Sequence, residues 1–337
     1  MKIETNDFGA GTVLIRLTNK SGQSIAFSNL GARVVDWNID GRQIVLGFDS
    51  AQEYLDKDAY PGATIGRTAG RVTNGIIHVD GQDIQLPQNE GEQTLHGGPK
   101  SFETKVWDYE IIDDAVKFTL TSPDGDNGYP GNLKVTVIHR FDEAGDWTIE
   151  YEAISDKDTV FNPTGHVYFN LAGDASQPID DHQLKISASR FVPLKDKTEL
   201  VRGDIVDVTG TDFDLREGLS LKQVFASDDA QIQLVDGFDH PFLLDAPSLS
   251  TEQASLSYED LTISVKTDQP ALVIFTANFG DIPTEFRGKK IANHGGITFE
   301  SQVSPGSELI PELGDISLRA GELYQSQTIY SLRKQEK

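Results

Sequence analysis

Apolar and polar residues alternate with a period of two along most of this chain, the spacing of side chains on a half-buried strand. Segment 12–18 reads Thr-Val-Leu-Ile-Arg-Leu-Thr, and segments 34–39 and 43–46 are joined across an Asp40-Gly41 turn. Residues 76–86 predict a hairpin, with Ile77 and Val79 before Asp80-Gly81 and Ile84 and Leu86 after it. Asp-Gly between alternating segments is a strong local hairpin signal, because both residues tolerate the positive φ of a tight turn. Further strands are predicted at 106–112, 116–121, 133–141 and 147–153. Later ones are predicted at 183–187, 232–235, 261–266, 272–276, 296–300 and 324–332.

Helical spacing is scarce. Residues 50–55 and 219–225 can form a turn or two, and no segment sustains an amphipathic stripe over three turns. Strands do not alternate with helices, which argues against a doubly wound nucleotide-binding fold. The 31 glycines and 14 prolines are spread evenly, as expected for many short strands and irregular loops. No repeat, low-complexity tract or Pro/Ser-rich linker divides the chain. The expectation is an all-β protein, a single domain over 1–337 built as a large antiparallel β-sandwich with few short helices.

Charge and cysteine content narrow the chemistry. The 337 residues hold 29 Lys+Arg against 53 Asp+Glu, so the net charge is 29 − 53 = −24. Such a chain repels phosphates, which argues against nucleic acid and an anionic membrane surface and favours a small neutral ligand. Cysteine is absent, which removes disulfides, thiolate nucleophiles and Cys-ligated metals. The seven histidines show no His-x-His, His-x-x-x-His or His-Glu-x-x-His spacing, so no metal is expected. No Gly-x-Ser-x-Gly elbow announces a serine hydrolase. The N-terminus lacks the basic and apolar regions of a secretory signal, and no apolar run reaches membrane-spanning length. A cytoplasmic monomer or homodimer is expected.

Five segments concentrate polar residues able to do chemistry. Gly66-Arg67-Thr68-Ala69-Gly70-Arg71 lacks the Gly-Lys-Ser/Thr ending of a phosphate loop. It reads either as a glycine-turned loop exposing two arginines or as an arginine fork aimed at sugar hydroxyls. Thr94-Leu95-His96-Gly97-Gly98 puts a histidine on a loop where backbone and ligand can approach closely. In His166-Val167-Tyr168-Phe169-Asn170-Leu171, strand alternation sets His, Tyr and Asn on one face and apolar residues on the other. That is the pattern of a sheet lining a polar cleft, although a strand histidine is structural more often than catalytic. Asp236-Gly237-Phe238-Asp239-His240-Pro241 reads by itself as a turn, since Asp-Gly and His-Pro are both turn dipeptides. Ile297-Thr298-Phe299-Glu300 puts a carboxylate among strand residues, either on a solvated face, which the pattern favours, or partly desolvated with a raised pKa.

Together these segments resemble the signature regions of the aldose 1-epimerases, the galactose mutarotases. The likeness runs in order from Gly31-Ala32-Arg33 to Ser304-Pro305-Gly306, essentially the whole chain, and five segments in sequence are far more specific than any one. The resemblance implies a galactose mutarotase-like supersandwich whose open cleft holds a free sugar without a cofactor. It implies interconversion of the α and β anomers of galactose and of glucose. Glu300 would be the general base at the C1 hydroxyl, His166 the general acid at the ring oxygen, and His96 would polarise that oxygen. Arg71 and Asp239 would hold sugar hydroxyls, and Phe275 would pack on a sugar face. The chain departs from the family pattern at Gly70, Gly165 and Val273, where polar residues are common, which bears on hydroxyl recognition.

Three rival readings remain. A hexose-6-phosphate 1-epimerase would need a cationic pocket, for which Arg67 beside Arg71 is the one supporting feature. A carbohydrate-binding protein would have no use for an acid–base pair. A glycosidase would use two opposed carboxylates, which Asp239 and Glu300 could imitate.

Overall fold

The computed structural model describes residues 1–58, 60–196 and 201–335. Among these residues most strands gather into one nine-stranded antiparallel sheet faced by two five-stranded sheets, and the rest form six two-stranded ladders. The long sheet runs in the order Asp108–Ile112, Ala115–Ser122, Leu133–Phe141, Asp146–Ser155, Leu323–Lys334, Leu261–Thr267, Ala254–Tyr258, Gln183–Ile186, Leu219–Ser220. One five-stranded sheet is N-terminal and runs from Lys2–Gly9 to Arg42–Gln43. The other is ordered Val206–Asp207, Ala188–Phe191, Asp239–Leu244, Ala271–Phe275, Glu300–Gln302. The architecture is the large antiparallel sandwich that the alternation predicts.

Period-two burial explains why the layers pack. In Asp146–Ser155 the residues Trp147, Ile149, Tyr151 and Ala153 are buried, while the intervening positions are half-buried or exposed. The same alternation in Leu261–Thr267 buries Leu261, Ile263 and Val265. These faces meet Ile15, Phe27 and Trp37 from the N-terminal sheet and Phe242, Leu272 and Ile274 from the second, in one continuous core. At its centre Trp147 stacks on Tyr330 with ring centroids 4.5 Å apart and meets Trp37 edge-on at 5.9 Å. Aromatic pairs in these geometries add about 0.5–1.5 kcal/mol beyond area burial.

Three short helices lie among the described residues, and none is long and apolar enough to cross a membrane. Helix α1 (Ala51–Asp56) and helix α2 (Leu221–Phe225) fall where the sequence allows a turn or two. Helix α3 (Ala230–Val235) corrects the strand predicted at 232–235. The Asp229 side chain accepts the Gln231 N–H at 2.7 Å as an N-cap, and Asp236, at φ 56°, ends the helix in the left-handed region. Four residues of alternating polarity are too few to separate one helical turn from a strand. A second correction concerns His240-Pro241. Asp236-Gly237 does turn, but His240 and Pro241 lie inside the strand Asp239–Leu244. Pro241 stands opposite Val273 in the ladder, and its carbonyl accepts the Val192 N–H at 2.9 Å.

The Trp147→Ala variant is expected to lose about 3–5 kcal/mol of stability, the usual cost of truncating a buried aromatic. A urea midpoint close to that of the parent protein would show that the three layers do not share this core.

Candidate active site

Sheet register assembles one side of a cleft of about 300 Å³. Asp239 stands opposite Phe275, and Pro241 and Glu300 both stand opposite Val273, on neighbouring strands. Alternation then sends Leu272 and Ile274 into the core and Val273, Phe275, Asp239 and Glu300 to the cleft. His166 follows the strand Thr164–Gly165, which pairs with Thr64–Ile65. Its backbone N–H donates to Ala63 O at 2.9 Å and its carbonyl accepts from Gly62 N at 2.8 Å, so the main chain that carries the ring is fixed on both sides. The result is a contact of 3.4 Å between His166 Nε2 and Glu300 Oε1, with both side chains nearly inaccessible to water.

Burial dominates the electrostatics of this pair. Desolvation pushes the Glu300 carboxyl up to about 8, against a hydrogen bond donated by Thr298 Oγ1 at 3.0 Å and the charge of Arg71. Desolvation also pushes His166 down to about 4, opposed by the charge of Asp58. A carboxyl and an imidazole so displaced share one proton near neutrality. The solvated-face reading of Glu300 is therefore corrected: the pocket wall, not the strand pattern, decides its environment.

His96 stands beside His166, its ring meeting that imidazole edge-on with centroids 5.2 Å apart. Its N–H donates to Gly70 O at 3.0 Å, and Gly70 N–H donates in return to His96 Nδ1 at 3.2 Å. The imidazole is neutral, because burial holds its pKa well below the usual histidine value. With Nδ1 accepting, the ring proton sits on Nε2, a donor available to a ligand oxygen. His96 lies at φ 51°, and Gly97 follows at φ 82° where a Cβ would strike Gly66 O. Only glycine fits that close approach.

Arg71 forms a fork on Glu90, Nε to Oε2 at 2.6 Å and Nη2 to Oε1 at 3.1 Å, and its Nη1 lies 3.5 Å from Asp239 Oδ2. Glu90 escaped the sequence reading, because nothing in a turn 19 residues downstream marks it as a partner of Arg71. Tyr60 was also missed; its ring lies 4.9 Å from that of His96 and 6.0 Å from that of His166. Phe275 meets Phe279 edge-on at 5.4 Å and offers an apolar surface beside these polar groups.

Two residues leave the candidate set. Asn170 shares the sequence face of His166 and Tyr168, yet the chain bends and its Nδ2 donates to the carbonyls of Asp174, Gln177 and Gly295. Arg67 is buried, and its guanidinium donates to Ser122, Pro130 and Gly131 oxygens rather than facing the cleft. The loop therefore exposes neither an arginine pair nor a phosphate cradle. Among the departures, Gly70 sits at φ +72°, and a Cβ there would collide with the ring of Pro305, its neighbour in the cleft lining. A Cβ on Gly165 would meet the buried Tyr151 hydroxyl at 3.4 Å, away from the cleft lining.

The fold and cleft define a class: an all-β protein in which one desolvated carboxyl and one imidazole face a pocket rich in hydrogen-bonding groups and aromatic surface. The chain matches the aldose 1-epimerase family over residues 13–331 and belongs to it. It is 37% identical to the aldose 1-epimerase of Escherichia coli over 332 residues, 94% of each chain. It is 34% identical to the galactose mutarotase of Bos taurus over 330 residues, 95% of this chain and 94% of that one. The solved galactose 1-epimerase of Lactobacillus acidophilus superposes with a TM-score of 0.90 at 32% identity, covering 99% of both chains.

The raised Glu300 pKa has a consequence for stability. Between the ordinary carboxyl value of 4.5 and about 8 the folded protein holds a proton that the unfolded chain has released, so this group lowers stability as pH rises. Glu300→Gln removes that dependence. Urea midpoints of parent and variant are expected to diverge in favour of the variant between pH 4.5 and about pH 8. A constant difference across that range would mean that Glu300 is not desolvated.

Proposed function

We propose that the protein is an isomerase that interconverts the α and β anomers of D-galactose, and of D-glucose, by acid–base ring opening. The contact between His166 and Glu300 carries this reading, because a hemiacetal needs one proton taken from its C1 hydroxyl and one given to its ring oxygen. Glu300 as carboxylate removes the hydroxyl proton while His166 as imidazolium protonates the ring oxygen, and the C1–O bond of the ring breaks. Rotation about C1–C2 presents the other face of the aldehyde, and closure reverses both transfers. The His96 N–H donates to the ring oxygen, Arg71 and Asp239 hold hydroxyls, and Phe275 packs on a C–H face of the sugar. The whole chain acts as one domain, in keeping with a core continuous from Ile15 to Leu332.

Protonation and burial act together in this scheme. Ring opening converts a charged pair, carboxylate and imidazolium, into a neutral one. Burial pushes Glu300 up and His166 down, which favours the neutral pair in the resting site, so the charged pair that opens the ring is the minor form. Arg71 and Asp58 bias the pair in the other direction, which keeps the charged form accessible.

A neutral sugar suits the cleft better than a phosphorylated one. Among the described residues that line it, Arg71 is the sole lysine or arginine, and its guanidinium already faces Glu90 and Asp239.

Polarimetry of freshly dissolved α-D-galactose tests the reading: the protein accelerates the approach to the same final rotation, with glucose 6-phosphate a poorer substrate than glucose. No acceleration with any aldose, from folded protein, would overturn it. Glu300→Gln lowers kcat by about 10²–10⁴, the range usual for a lost general base; near-parental turnover would remove Glu300 from the mechanism. The rate also follows the proton count of the pair. A plateau between about pH 4 and about pH 8 is expected, with losses where both groups are protonated or both are bare. Constant activity across both limits would dissociate the pair from turnover.

A further inference from the structure

Two walls of the cleft that come from distant parts of the chain meet at a side chain that touches neither the acid nor the base. Leu194 and Val201 form an antiparallel bridge and line one side. Asp239 lies at the start of the strand Asp239–Leu244 on another. Between them stands α3, which carries Gln231.

We infer that Gln231 is a positioning residue for sugar binding, whose amide locks the Leu194/Val201 wall to the strand that carries Asp239. The inference rests on reading the cleft as a sugar site. Gln231 Oε1 accepts the Leu194 N–H at 2.6 Å, and Gln231 Nε2 donates to Leu194 O at 3.1 Å. The amide thus pairs with the Leu194 main chain as a neighbouring strand would, satisfying both of its polar groups. The same Oε1 lies 3.3 Å from His240 Nε2. On the other side of that ring, Asp239 N–H donates to His240 Nδ1 at 3.2 Å. An accepting Nδ1 puts the proton on Nε2, so His240 donates to Gln231.

The relay is rigid. His240 is fully buried, and burial pushes its pKa down to about 3, so the ring stays neutral and keeps one tautomer throughout the working pH range. Gln231 is itself held at the first turn of α3 by the Asp229 cap. Main chain of Asp239, His240 ring, Gln231 amide and main chain of Leu194 form one connected path. The catalytic pair lies outside it, on Glu300–Gln302 and on the segment after Thr164–Gly165. Loosening the path disturbs how the sugar is held and leaves the proton transfers in place.

Gln231→Ala is therefore expected to raise the KM for galactose about tenfold, the equivalent of one or two net hydrogen bonds, with kcat essentially unchanged. Gln231→Glu keeps both acceptor contacts but sets a carboxylate oxygen against Leu194 O, and its KM rises above the parental value. Gln233→Ala is the control on the same helix, since its amide donates to Ser227 O at 2.7 Å, and it keeps the parental KM. Calorimetric titration with D-galactose on each variant, at a temperature where all are folded, reads affinity without turnover. Weaker binding by Gln231→Ala supports the inference even if the wild-type protein fails to accelerate mutarotation, an outcome that would sink only the functional reading. Parental KM and affinity in folded Gln231→Ala overturn it, as does a fall in kcat that matches the rise in KM. If Gln231→Ala does not fold, a parental KM in Gln231→Glu overturns it instead.

Discussion

Removing water from one carboxyl and one imidazole, 3.4 Å apart, is the constraint on which this site depends. Neither group could be so displaced in solvent, where a carboxyl near 8 would have no cause. The displacement needs walls, and the walls need the sandwich. Glu300 belongs to the strand at the edge of the five-stranded sheet and faces Val273 in register; its neighbour Ser301 pairs with Leu272, whose side chain enters the core. A slip of one residue would exchange these faces and send the carboxyl into the core. The core packing that fixes register therefore also fixes the chemistry.

Buried arginines do for the loops what register does for the strands. Arg33 lies 3.9 Å over the Tyr54 ring and donates to the carbonyls of Leu30, Pro61 and Glu103. One guanidinium thus satisfies three loop carbonyls, and the Pro61 carbonyl belongs to the loop that carries Tyr60 into the cleft. Arg67 gathers Ser122, Pro130 and Gly131 in the same way behind the loop that carries Arg71. A planar donor with five N–H groups suits this better than an ammonium could. Such loops keep their shape without secondary structure because their main-chain oxygens are satisfied inside the protein.

Much of the site was legible in the sequence because short motifs carry their own local geometry. The His96 loop signals itself through consecutive glycines, and His166 and Tyr168 through alternation with apolar neighbours. Asp239 and Glu300 gained meaning only when the separate segments were read together in order. What escaped was pairwise and distant. Glu90 gains its role only by meeting Arg71, and Tyr60 only by leaning on two histidines. Gln231 stands just before four residues, 232–235, whose polarity fits strand as well as helix, and the Asp229 cap decides for helix. Arg67 and Arg71 look equivalent in the sequence, and only burial separates a structural donor from one facing the cleft.

The sequence by itself determined the all-β architecture, since period-two alternation can bury one face of a strand and not one face of a helix. It also carried the family and its candidate acid and base, because these reside in contiguous motifs. The tertiary structure alone decided the electrostatic state of those groups. A pKa depends on how much water and which charges surround a side chain, and those neighbours come from strands and loops far apart in the chain. The same folding turned Asn170 and Arg67 inward, brought Glu90 to Arg71, and set the 3.4 Å between Glu300 and His166.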